Sequence, residues 1–159
     1  MEKIADKLII LQGNSNSGKT TTLINVIHSL IDEKGFTAGD QPILEGDQRV
    51  LLKDEKSFSV AICSAGDSLE IIEQNYRFFL EHDCDVMISA CSINVVTHLD
   101  GSRTNLAKTS LIGFASGYWK SAEVHFNADS KHVKIFTLYA IKDVPVMGDA
   151  IIKEIQMAK

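Results

Sequence analysis

Short, continuously apolar runs alternate along the chain with longer stretches whose apolar residues recur every three or four positions. The first run, Lys7 to Gln12, is apolar from Leu8 to Leu11, as expected of a strand buried on both faces. From Lys19 to about Lys34, Leu23, Val26, Ile27, Leu30 and Ile31 fall on a single helical stripe, and Gly35 is placed to end the helix. Residues 36–48, with Pro42 and two Gly-Asp pairs, read as a loop. The β-rich runs Arg49–Lys53 and Ser57–Cys63 flank a short polar turn and predict a hairpin. Val50 to Lys53 would be an antiparallel edge, guarded by Lys53, Asp54 and Lys56.

Beyond Ser64-Ala65-Gly66-Asp67 a second helical pattern carries Leu69, Ile72, Tyr76, Phe79 and Leu80. Asp67 and Glu70 stand at capping-box spacing before it. Asp85 to Cys91 reads as another buried strand, and residues 92–102 as a polar loop. A third helix is predicted over Thr104 to Lys120, with Leu106, Leu111, Phe114 and Tyr118 inward. Two strand-like runs follow, Ala122 to Phe126 and His132 to Tyr139, the second the better core strand. Lys142 to Pro145 breaks the pattern, and a last helix is expected from about Val146 or Gly148. Strands alternating with helices predict a three-layer α/β sandwich, with a mostly parallel sheet and one antiparallel edge strand. All 159 residues fit one such domain. Its ligand site belongs at the carboxyl ends of the strands.

The first of those ends carries the strongest chemical signal. Gly13-Asn14-Ser15-Asn16-Ser17-Gly18-Lys19-Thr20 satisfies G-x-x-x-x-G-K-[ST] between a strand and a helix, the context that gives this motif its meaning. Gly13 permits a sharp turn off the strand, and Gly18 permits close approach of phosphate to the backbone. Asn14, Ser15, Asn16 and Ser17 supply backbone donors, and the helix N-terminus adds its positive end. Lys19 would reach β- and γ-phosphates, Thr20 would offer its hydroxyl to Mg²⁺, and Thr21 is a candidate contact for the α-phosphate.

On these residues the chain resembles the P-loop NTPase superfamily, specifically over residues 8 to 31 and loosely beyond them. Asn16 is similar to the asparagine of translation-factor-like GTPases, and the hairpin and Ser64–Asp67 segment resemble those of Ras-like GTPases. The resemblance implies a nucleoside triphosphate and Mg²⁺ as ligands. It also exposes departures. If Gly66 matches the glycine of D-x-x-G, the aspartate position holds Cys63, and Asp67 falls one place later. Asp67 then holds Mg²⁺ through water or orients the attacking water, serves only as the helix cap, or does both. The guanine-reading [NT]-K-x-D is not met by Thr97-His98-Leu99-Asp100, so ATP is preferred over GTP. Arg103 is a candidate arginine finger or a solvated residue.

Composition narrows the surroundings rather than the chemistry. A net charge of −5 and three arginines speak against a nucleic-acid groove. No apolar stretch reaches the roughly 20 residues of a membrane span, and the N-terminal residues lack a signal peptide's apolar region. A cytoplasmic protein with reduced core thiols Cys63, Cys84 and Cys91 is expected. Three functions follow in order: a Mg²⁺-dependent ATPase with Lys19 and Asp67 catalytic, a small-molecule kinase, and a nucleotide-gated module for a protein partner.

Overall fold

The computed structural model describes residues 5–14, 17–38, 49–66, 68–82, 84–93, 95–97, 99–105 and 133–159. Strand β1 (Lys7–Gly13) leads into helix α1 (Lys19–Glu33), then β2 (Arg49–Lys53), β3 (Ser59–Cys63), α2 (Leu69–Glu81) and β4 (Val86–Ser92). A small hairpin of β5 (Val95–Thr97) and β6 (Arg103–Asn105) comes next. Strand β7 (Val133–Leu138), a 3-10 turn at Ile141–Asp143 and helix α3 (Val144–Met157) complete the described chain.

Five strands form one mixed sheet in the order β2-β3-β4-β1-β7. Only the β2–β3 pair is antiparallel, the edge arrangement expected from the hairpin pattern. Gly13 pairs with Ser92 on one side and Leu138 on the other, so three parallel strands end level with one another. Strand β3 stops lower, with Cys63 opposite Ser89, and residues 64–66 continue past the last residues of β4.

The strand alternation sorts side chains between two cores. Ile9, Leu11, Val60, Ile62, Ile88 and Ala90 join the inner faces of α1 and α3. Leu8, Ile10, Ala61, Cys63, Met87 and Cys91 pack with Ile72 and Phe79 of α2. Each fully buried Leu, Ile or Phe contributes on the order of 1.5–3 kcal/mol, so α1 and α3 through one cluster and α2 through the other are anchored to β1. Helix α1 closes after Lys34, where Phe36 N–H returns to Leu30 O at 3.0 Å. Lys7 and Glu154 form an ion pair between β1 and α3.

Several expectations are corrected. Ser68 caps α2, its hydroxyl accepting from Ile71 N–H at 3.2 Å, so the Asp67–Glu70 box is out of register by one residue. Leu80, counted in the apolar pattern of α2, is exposed. The 92–102 loop contains β5, and Thr104 and Asn105 lie in β6 rather than a helix, because Val95, Val96 and Thr97 are β-branched and pair across the Gly101 turn. Helix α3 begins at Val144 with Pro145 in its first turn, where proline loses no helical hydrogen bond. The proposed elements over residues 106–132, and the 39–48 loop, lie outside the described residues. No helix among the described residues is long and apolar enough to cross a membrane.

Candidate functional site

The start of α1, the segment after β3 and Ile141 border an open cavity of about 320 Å³ at the carboxyl end of the sheet. Gly18, Lys19, Thr20 and Thr21 form one wall, Ser64 and Gly66 the other, and Ile141 closes one side. Gly18 adopts φ 101° as the residue before α1, and a Cβ there would come within 2.7 Å of Val144 Cγ2. Both the left-handed backbone and the close packing require glycine. No side chain caps α1, and no acidic residue lies in its first turn. Its positive N-terminal pole therefore faces the cavity with no carboxylate from its own first turn beside it.

Lys19 is 6% exposed. Its Nζ donates to Gly13 O at 3.0 Å and to Asn14 O at 2.8 Å, folding the side chain back under the loop. Gly13 O also accepts from Ile93 N–H at 3.1 Å, which ties β1 to the segment after β4. Ser17 N–H donates to Asn14 O at 3.2 Å, so the loop is closed by its own backbone. Thr22, buried in the first turn, bonds Gly18 O through its hydroxyl at 2.8 Å.

Thr20 crosses the cavity. Its Oγ1 donates to Ser64 O at 3.3 Å, joining α1 to the end of β3. Gly66 stands so close to β4 that a Cβ would lie 1.7 Å from Ala90 O, and its own carbonyl accepts from Ser92 N–H at 2.8 Å. Cys63 points the other way, into the α2 core. The strand-end position that meets Thr20 is therefore Ser64, a shift of one residue that reverses the face. Burial pushes the Cys63 thiol well above its usual pKa, with the nearby Arg49 guanidinium opposing the rise. It is a neutral core thiol.

Of the residues singled out in the sequence, Gly13, Asn14, Ser17, Gly18, Lys19, Thr20 and Thr21 are gathered here. Ser15, Asn16 and Asp67 lie outside the described residues. Arg103 sits on β6 of the hairpin. Sequence reading missed Ser64, Gly66 and Ile141 as cavity walls, and Asn75 behind them. Asn75 was findable: it lies three residues after Ile72 and four before Phe79, on the buried stripe of α2. Among the described residues there is no group of three or more His, Cys, Asp or Glu placed to hold a metal.

No protein-family model, curated protein or solved structure matches the chain.

Proposed function

We propose that the chain is a P-loop-type domain, a three-layer α/β sandwich that binds a nucleoside triphosphate with Mg²⁺ and hydrolyses it. The observation that carries this reading is the position of Lys19. An ammonium group is enclosed beside the N-terminus of α1, where helix dipole and lysine repel each other. Its two bonds to Gly13 O and Asn14 O satisfy the ammonium in part and hold the loop, but they leave its charge and the helix pole uncompensated by any anion among the described residues that line the cavity. A polyphosphate would relieve both charges at once, with loop backbone donors and Lys19 as its ligands.

The residues present fit the two ligands. Thr20 has its hydroxyl on the cavity wall for a cation shared with phosphate oxygens, the usual manner of holding Mg²⁺ through few protein ligands. Bound there, the cation would neutralise charge on the phosphates. Asp67, directly after Gly66, is the proposed acidic partner, now that Ser68 accounts for the helix cap. ATP is preferred over GTP, since Ile141 gives the cavity an apolar side and guanine-reading residues are lacking in the sequence.

Lys19→Ala tests the reading. ATP affinity should fall about 10-fold to 150-fold, as expected for removing a charge-assisted contact with phosphate, and phosphate release should fall with it. Equal phosphate release by wild type and variant would sink the assignment. One observation favours a second reading, a nucleotide-gated module: Cys63, which stands where the resembled GTPases carry an aspartate, is buried in the α2 core. Tight ATP binding by wild type with no phosphate release would select the module.

A further inference from the structure

Asn75 is a polar residue on the inward face of α2, fully buried between apolar Ile72 and Phe79. Burying an amide there is costly unless its hydrogen-bonding groups are satisfied. They are. Nδ2 donates to Ala65 O at 2.8 Å and to Ser89 Oγ at 3.0 Å, using both of its protons. Oδ1 accepts from Arg49 Nε at 2.9 Å, and Arg49 Nη2 reaches Gln74 Oε1 at 3.0 Å. Four elements therefore converge on one side chain: β2, the segment after β3, α2 and β4.

The bond to Ala65 is the informative one. Ala65 lies between Ser64, whose carbonyl receives the Thr20 hydroxyl, and Gly66, whose backbone abuts Ala90. These flanking residues are the cavity wall opposite Lys19. The regular ladder of β3 ends at Cys63; beyond it Gly66 O still accepts from Ser92 N–H at 2.8 Å, but no ladder pair holds Ala65 between them. Asn75 supplies that hold from behind. It touches no cavity volume itself.

We propose that Asn75 is a positioning residue. It sets the wall that faces the far end of a bound triphosphate, and so governs recognition of the terminal phosphate rather than of the nucleotide as a whole. This inference rests on the triphosphate reading of the cavity. In that reading the loop Gly13–Thr20, with Lys19, would hold the phosphates without help from Asn75, whereas the 64–66 wall lies across the cavity from Lys19 and would meet the terminal phosphate from the other side.

The test is a pair of affinities, ATP and ADP, each measured with Mg²⁺ on the intact chain. In Asn75→Ala, ADP affinity should stay within about twofold of wild type, while ATP affinity falls about tenfold, the size of one hydrogen bond's loss. Equal changes in both affinities, or none in either, would overturn the positioning role. Should Asn75→Ala not fold, Arg49→Ala decides, because Arg49 is exposed and its loss removes the anchor of Oδ1 while leaving both Nδ2 bonds of Asn75 in place, at the further cost of the Arg49–Gln74 bond. A lowered ATP-to-ADP preference there supports the proposal, and an unchanged one rejects it. Ser89→Ala keeps the Asn75–Ala65 bond and should preserve the preference; losing it would move the role from Ala65 to the β4 contact. Wild type that binds neither nucleotide overturns the triphosphate reading itself, which separates that failure from a failure of Asn75.

Discussion

The two walls of the cavity are built on opposite principles. The Lys19 wall is local: the carbonyls of Gly13, Asn14 and Gly18 accept from Lys19, Ser17 and Thr22, residues close by in sequence, and the helix starts there. The Ser64 wall is assembled at a distance, from a strand end held by Asn75 of α2 and pressed against Ala90 of β4. Thr20 is the side chain seen to bridge them. A local wall keeps its shape as long as its loop closes. A wall assembled from several elements depends on their packing, so damage there should spread further through the fold.

Glycine substitutions put that contrast at its sharpest. Gly66→Ala places a methyl group 1.7 Å from a main-chain oxygen that cannot rotate away. Strands and loop must separate, at a cost of about 3 kcal/mol or more. Gly18→Ala meets a left-handed φ and a valine methyl at 2.7 Å, a smaller penalty of about 1–3 kcal/mol. Urea unfolding of both variants measures the difference. A larger loss at Gly18 would reverse the comparison.

The same contrast explains what could be read from the residues alone. The loop Gly13–Thr20 was legible because its chemistry is contiguous and its spacing is enforced by backbone geometry. The sheet, its antiparallel edge and the stripe of α1 were legible through their periods. The opposite wall was not, because strand parity decides its face: Cys63 lies in the α2 core and Ser64 at the cavity. One position of phase cannot be seen without knowing where β3 ends. Asn75 escaped for a related reason, since an apolar stripe is traced by its apolar members and a satisfied polar one is passed over. The cap of α2 slipped by one residue, Ser68 for Asp67, because either side chain can accept the helix's first N–H groups. The β5–β6 hairpin was too short to register as alternation.

A lesser effect is expected where the walls join. Thr20→Val keeps the shape and removes the hydroxyl that donates to Ser64 O. The bond is long at 3.3 Å, so stability should fall by only about 1 kcal/mol. The larger consequence belongs to the ligand, because Mg²⁺ should no longer strengthen ATP binding. Denaturation and ATP titrations with and without Mg²⁺ read the two effects separately. Retained Mg²⁺ dependence would take Thr20 out of the proposed cation site.

The smallest effect should have the opposite sign, and it comes from the local wall. Ser17 is 6% exposed, and its hydroxyl has no hydrogen-bond partner among the described residues. It is pressed against Gly13, where a Cβ would lie 2.6 Å from its oxygen. A buried hydroxyl without a partner costs the fold its lost hydration. Ser17→Ala removes that oxygen with almost no change of shape, so stability should rise by a few tenths to about 1 kcal/mol. If the hydroxyl only occupies space, ATP affinity stays unchanged while the unfolding midpoint rises. If instead the loop opens on binding and the hydroxyl meets a phosphate oxygen, the variant gains stability and loses affinity together. A destabilised Ser17→Ala would contradict both and show that the Ser17 hydroxyl itself helps to close the loop.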